Sequence, residues 1–218
     1  ELAGIGRDGV GDGRLLWRSV AVAAVLGVRV HRWIPSLAGV GPGRLPGPSR
    51  EAMRNAELTV VSISRSGSPA CCAAGAARVG VLWIDAHADM NTPRTSPSGN
   101  IHGMPLATLL GFGVKELTEI GGGFPKVRAE NIALVGIRSL DAGEKSRLKE
   151  NGVQVHTMAD IDRHGVHRIM KKALAQVTDG TDYVHVSFDL DAVDPTVAPG
   201  VGTPVKGGLD YREAHLIM

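Results

Sequence analysis

The sequence predicts an α/β protein with three αβα layers around a mainly parallel sheet, and three observations support that class. From about residue 76 onward, short apolar runs alternate with longer segments of helical period, the pattern of βαβ units. Two of the runs, 81–84 and 183–190, lead into pairs of carboxylates, and the carboxyl ends of strands are where open α/β sheets bind ligands. Between the last two runs lies an amphipathic segment suited to a crossover helix.

In chain order, residues 1–75 form an atypical N-terminal segment rich in Gly, Arg, Pro and Ser. A helix is expected over 15–26 and a strand over 28–33. The stretch "AGVGPGRLPGPSR" over 38–50 reads as loop or as a segment without a packed core. Its glycines do not stand between a strand and a helix, which excludes a phosphate-binding motif. Residues 76–218 then form the α/β domain, with strands expected over 81–84, 132–137, 153–156 and 183–190. Val166, Ile169, Met170, Ala173, Leu174 and Val177 fall three or four apart, opposite Arg168, Lys171 and Lys172, so this helix should lay an apolar stripe on the sheet.

Composition narrows the function. A chain of 218 residues suits one domain, and 43% apolar with 21% charged residues is ordinary for a soluble globular protein. A formal charge of +2 supplies no strong field for a polyanion, so nucleic acid is not a partner. The apolar stretch 20–28 is roughly 9 residues against the ~20 needed to span a bilayer. With no membrane segment and no signal peptide in view, a cytoplasmic location is expected. Cys71 and Cys72 are adjacent, which suits neither a disulfide nor a metal site, and they read as incidental small residues.

The chemistry lies in two segments. "VLWIDAHAD" (81–89) follows an apolar strand with Asp85, His87 and Asp89, and in extended chain these alternate residues point to one side. "YVHVSFDLD" (183–191) places Val184, Val186, Phe188 and Leu190 on one face, and His185, Ser187, Asp189 and Asp191 on the other. Carboxylates this close repel one another and lose solvation on burial, so an adjacent cation is implied. Four carboxylates with one imidazole form an oxygen-rich set that favours hard or borderline ions such as Mn²⁺. Five ligands exceed one closed tetrahedral site and suit a pair of ions sharing a water, with two carboxylates bridging. His185 reads as a buried structural histidine, and His31, His156, His164, His167 and His215 show no partner pattern.

Longer motifs carry a resemblance. "DAHADMNTPRTSPSGNIHGMP" (85–105), "GIRSLDAGE" (136–144), "MADIDRHG" (158–165) and "SFDLDAVDPTVAPGVGTPVKGGLDYRE" (187–213) resemble the ureohydrolase superfamily, and within it arginases of the bacterial type. The resemblance implies hydrolysis of L-arginine to L-ornithine and urea with two Mn²⁺ ions, on a parallel α/β fold that assembles as a homo-oligomer, trimer or hexamer. It implies Asp85 and Asp189 as bridging ligands, Asp89 as a ligand of one ion, and His87 and Asp191 as ligands of the other. A guanidinium stays charged to a pKa above ~12, so its carbon is a poor electrophile and water alone a weak nucleophile. Two bound ions answer that need by lowering the pKa of water towards ~7. Asp89 would manage the proton of the attacking water, and His102 resembles the family's proton-shuttling histidine. Asn91, Ser98 and Asn100 occupy positions that contact the substrate α-carboxylate, Asp141 the α-amino end, and Thr203 a place near the substrate. Agmatinases, whose substrate has no carboxylate, lack this loop pattern, so arginine is favoured over agmatine.

The sequence also departs from the family. Arginases carry a "GGDHS"-like motif upstream that supplies a histidine to the first ion; here "TVVSISRSGSPACC" (59–72) stands in that region, and the only earlier histidine is His31. One ion site therefore lacks its usual ligand, and a shifted reading frame before residue 76 would account for the loss. The end at Met218 is expected to leave out a substrate-side glutamate and part of the sheet. Lys206 replaces an apolar residue and reads as a surface change. These departures leave open a catalytically impaired fragment or non-catalytic subunit.

Overall fold

The computed structural model describes residues 29–31 as backbone, together with 78–120 and 125–218. The helix expected over 15–26, the loop over 38–50, the 59–72 segment and both cysteines lie outside the described residues. Five strands, β1 (Arg29–His31), β2 (Val79–Ile84), β3 (Ile132–Ile137), β4 (Gln154–Thr157) and β5 (Tyr183–Asp189), form one sheet in the order β1-β5-β2-β3-β4. Every pairing in it is parallel. The strand expected over 28–33 is present as the shorter β1, whose register sets His31 opposite Asp189.

Helices α1 (Pro105–Leu109), α2 (Lys115–Thr118), α3 (Ala142–Glu150), α4 (Met158–His164), α5 (Val166–Val177) and α6 (Tyr211–Ile217) complete the described elements with three short 3₁₀ turns. Alternation along β2 divides the core in two. Val79, Val81 and Trp83 meet Leu106 and Leu109 of α1 and Leu148 of α3 on one face. Leu82 and Ile84 meet Met158 and Ile161 of α4 and Ile169, Met170 and Ala173 of α5 on the other. The two apolar clusters make the three layers that the alternating pattern predicts.

The chain runs from β2 outward to β3 and β4, then crosses to β5 on the opposite side of β2. The sheet therefore changes winding direction between β2 and β5, and the crevice at their carboxyl ends is the natural place for a ligand. Gly136, at φ 89°, coincides with a shift of register between β3 and β4. A Cβ there would stand 3.3 Å from the Asp85 carbonyl oxygen, so this irregularity abuts the first residue of the site.

Four expectations need correction. β2 begins at Val79, and β4 is displaced by one residue from 153–156. β5 ends at Asp189, because Leu190 begins a 3₁₀ turn. Leu174 does not join the core stripe of α5 but is 44% exposed; it lies at the edge of the buried arc, where the described residues bring nothing over it. No described helix is long and apolar enough to cross a membrane.

Two positions test this packing. A Cβ on Gly80 would lie 1.9 Å from the Val177 carbonyl oxygen, a backbone atom that cannot swing away. Gly80→Ala should therefore destabilise the fold by about 3 kcal/mol or more, the upper range for overpacking, measured as a lowered denaturant midpoint. The second concerns the start of α4, where the Thr157 hydroxyl and amide donate to Asp160 Oδ2 at 2.6 and 2.9 Å. The Asp160 amide donates back to Thr157 Oγ1 at 3.2 Å. The bonds from Thr157 hold the Asp160 carboxyl below its usual 3.8. A depressed carboxyl contributes stability that is present above the unfolded value and lost as pH falls through the folded one. The stability gap between wild type and Asp160→Asn should thus shrink between pH 5 and 2, while Thr157→Ala costs about 1 kcal/mol at neutral pH. A gap that stays constant across that range would contradict the assignment.

Candidate metal centre

After Ile84 the chain does not stay extended. Residues 85–87 bend, and Asp89 adopts φ 51°, in the left-handed region that Asp tolerates better than most side chains. Asp85, His87 and Asp89 thus reach one cavity through a turn rather than through strand alternation, which corrects the expectation of an extended segment. The turn is anchored on β3: the Asp85 amide donates to Val135 O at 3.1 Å, and the Arg138 and Ser139 amides donate to Ala86 O at 3.0 Å. The Asp85 carboxylate accepts the His87 amide on Oδ1 at 2.6 Å and Trp83 Nε1–H on Oδ2 at 3.2 Å.

Beyond β5, Asp189 caps the 3₁₀ turn Leu190–Ala192 by accepting the Asp191 amide at 2.9 Å. That turn points Asp191 back towards β2, where its Oδ1 accepts the Ala86 amide at 3.1 Å. Its Oδ2 accepts the Thr203 hydroxyl at 2.8 Å. Each carboxylate is aimed by its neighbours' N–H and O–H groups.

Asp85, His87 and Asp191 each present a ligand atom within 4.8 Å of the others. His87 Nδ1 lies 3.0 Å from Asp191 Oδ2 and 3.4 Å from Asp85 Oδ1. Asp89 and Asp189 line the same cavity, whose volume is about 440 Å³. Burial holds Asp85 well above the usual carboxylate value; bonds from His87 pull it back, and the charges of Asp191 and Asp189 raise it again. Burial, then the charge of Asp85, likewise raises Asp89, and burial with Asp191 lifts Asp189 to about 6. Burial opposes a charge on His87, yet its bonds to Asp191 and Asp85 raise it to about 10. Burial also opposes a charge on Asp191, but the bond and charge of His87 and the bond from Thr203 hold it low. This set of groups is short of positive charge, and its oxygen-rich donors fit hard or borderline divalent cations.

The outer side of the cavity is built on the loop after Asp89. Asn91 is buried and donates to Asp141 Oδ2 at 2.6 Å, while its own oxygen accepts the Thr95 hydroxyl at 2.9 Å. Ser98 and Asn100 are exposed residues of the cavity wall, and His102 lines it half-buried in the turn Ile101–Gly103. Burial, then the charge of His87, holds the His102 ring below its ordinary value. Thr203 also lines the cavity, and Lys206 is exposed. None of His156, His164, His167, His185 and His215 lines it; His185 is buried on β5, and His215 contacts the Tyr211 carbonyl on α6.

Sequence reasoning missed three contributors: Trp83, Glu144 and Arg138. Glu144 was legible, since "DAGE" is a capping-box pattern. Asp141 caps α3 by accepting the Glu144 amide at 2.8 Å, and Glu144 reaches back to the Asp141 amide at 3.3 Å and to the Met90 amide at 3.1 Å. Trp83 donates to Asp85 two residues on, where the chain bends after β2, and Arg138 acts through carbonyls of segments distant in sequence; no local pattern announces either.

The family model described as "Arginase family" matches residues 62–218. The arginase of Bacillus caldovelox is 57% identical over 141 residues, covering 65% of this chain and 47% of that protein. The arginase of Brevibacillus brevis is 56% identical over 138 residues, covering 63% and 46%. Among solved structures, arginase from Bacillus cereus superposes with a TM-score of 0.68 at 44% identity, over 78% of this chain and 55% of that one. The chain spans about half the length of the curated relatives it matches. A family match over most of the chain, on a parallel sheet with candidate acidic ligands gathered where its winding reverses, means that this chain belongs to the arginase family.

Proposed function

We propose that this chain carries a manganese-dependent centre for hydrolysing L-arginine to L-ornithine and urea. The observation that carries the reading is the convergence of Asp85, His87 and Asp191 where the sheet reverses direction, within a family match that includes every candidate ligand. Asp85, His87, Asp89, Asp189 and Asp191 would hold two Mn²⁺ ions. Such ions supply deprotonated water at neutral pH by lowering its pKa towards ~7. Asp89, whose bent backbone at φ 51° brings it to line the cavity, would accept a proton from such a water. His102, held below its ordinary value, rests neutral at physiological pH and can take up a proton and pass it to the leaving amine.

Asn91, Ser98 and Asn100 supply neutral donors for a substrate carboxylate, and Asp141 an acceptor for its α-amino group. Asp141 already receives Asn91 and the Glu144 amide, so it is oriented before any substrate arrives. Thr203 serves the metal end of the cavity, next to the substrate, by steadying Asp191. On the resemblance to arginases the chain would assemble as a homo-oligomer of three or six chains.

A second reading, one ion with impaired catalysis, is favoured by a specific observation: among the described residues the ligand atoms that converge are those of Asp85, His87 and Asp191 alone. Titrating purified protein with Mn²⁺ while measuring urea separates the two. Two ions per chain with urea formation supports the two-ion enzyme; one ion without urea supports the alternative. His102→Asn should lower kcat about 10²-fold, at the low end for a lost acid–base group, with ion stoichiometry unchanged. Asn100→Ala should reduce kcat/KM for arginine about 10-fold or more, as expected for a lost bond to a charged group. Agmatine, which has no carboxylate, should be little affected. Equal losses on both substrates would remove Asn100 from carboxylate recognition.

A further inference from the structure

Arg138 follows β3 by one residue, and its guanidinium is directed at backbone carbonyls. Nε donates to Val205 O at 3.2 Å. Nη1 donates to Gly136 O at 3.2 Å and Ala192 O at 3.1 Å. Nη2 donates to Asp191 O and Val205 O, each at 2.6 Å. A guanidinium has five N–H donors in a rigid fork, and here all five are engaged. The four carbonyls belong to three separate segments: the end of β3, the turn bearing Asp191, and the loop that carries Thr203.

Asp194 completes the arrangement from the opposite sign of charge. Its Oδ2 accepts the Gly207 and Gly208 amides at 2.8 and 3.2 Å. The 203–208 loop is thus held to the 190–194 turn through its carbonyl oxygen by a cation and through its amides by an anion. Packing leaves no slack, since a Cβ on Gly208 would stand 2.6 Å from Arg138 Nη2 and 2.7 Å from Ala192 O.

We propose that Arg138 is a positioning residue of the metal centre. By fixing the Asp191 and Ala192 carbonyls together with Val205, it sets the direction of the Asp191 carboxylate and keeps the Thr203 hydroxyl on Asp191 Oδ2. Lysine cannot take its place, because a single ammonium has three donors at one point and cannot span carbonyls on three segments. The proposal rests on the reading of Asp191 as a metal ligand.

The test is equilibrium Mn²⁺ binding to the folded full chain, followed by the electron paramagnetic resonance signal of free Mn²⁺, alongside thermal melts of the metal-free proteins. Arg138→Met should weaken binding of the ion held by Asp191 about 10- to 100-fold, the usual cost of removing a group that orients a ligand. Arg138→Lys should fall between it and wild type. A role in folding alone predicts a lower metal-free melting temperature with unchanged Mn²⁺ affinity well below that temperature, and this result would overturn the proposal. If Arg138→Met shows no cooperative melt, Arg138→Lys decides: tenfold weaker binding with a cooperative melt supports the proposal, and wild-type affinity refutes it. Absence of Mn²⁺ binding by the wild-type chain would instead refute the metal-centre reading, and the positioning role with it.

Discussion

The constraint on which the rest of this structure depends is electrostatic. Asp85, Asp89, Asp189 and Asp191 share one cavity, and within it burial and mutual repulsion raise three of the four above the ordinary carboxylate value. Among the described residues His87 is the cationic group placed between the candidate ligands, and both Asp85 and Asp191 draw on it. Removing carboxylates from water without compensation is costly enough that such groups ordinarily protonate or find a cation. A divalent ion resolves the conflict for several of them at once, which is why the cluster is read as a metal centre rather than as a set of structural acids.

The fold meets that constraint through topology. β2 and β5 are neighbours in space, yet Val79 and Tyr183, which start them and pair directly, are 104 positions apart, so each strand brings candidate ligands from its own turn. Because both strands run in one direction, both turns fall at the same edge of the sheet. The Ala86 amide, in the turn after β2, donates to Asp191 after β5. One bond from a backbone amide to a carboxylate therefore ties the two halves of the candidate ligand set together. The polar side of the cavity is paired with apolar support on both sheet faces, where Trp83 and Phe188 belong to opposite core clusters.

Much of this was legible in the sequence, and the parts that were not share a physical reason. The strands stood out because buried parallel strands are short apolar runs, and Asp85, His87, Asp89, Asp189 and Asp191 stood out because ionisable groups directly after such runs are unusual. The geometry of "DAHAD" was misread, since alternation holds only while a strand continues and this one stops at Ile84. Leu174 was misread for a related reason: helical period identifies a stripe, but tertiary packing decides how wide the buried arc is. Arg138 was invisible because its partners are backbone carbonyls of residues 136, 191, 192 and 205, and a carbonyl carries no sequence signature.

The loop after Asp89 shows how the two ends of the cavity are made interdependent. Asp89 turns through φ 51°, a conformation that costs most residues about 1 kcal/mol or more, and it is followed at once by the Met90 amide held on Glu144 Oε1. Glu144 also closes the capping box with Asp141, and Asp141 holds Asn91. A chain of hydrogen bonds therefore runs from the backbone beside Asp89, through the start of α3, to Asn91 and Asp141, the two residues proposed for the substrate's amino-acid end. The cap supplies favourable amide bonds that offset the turn and tie it to the start of α3. Asn91 bonded to Asp141 thus presents its polar atoms at a fixed distance from Asp89, which is what the proposed grip on a substrate's amino-acid end requires.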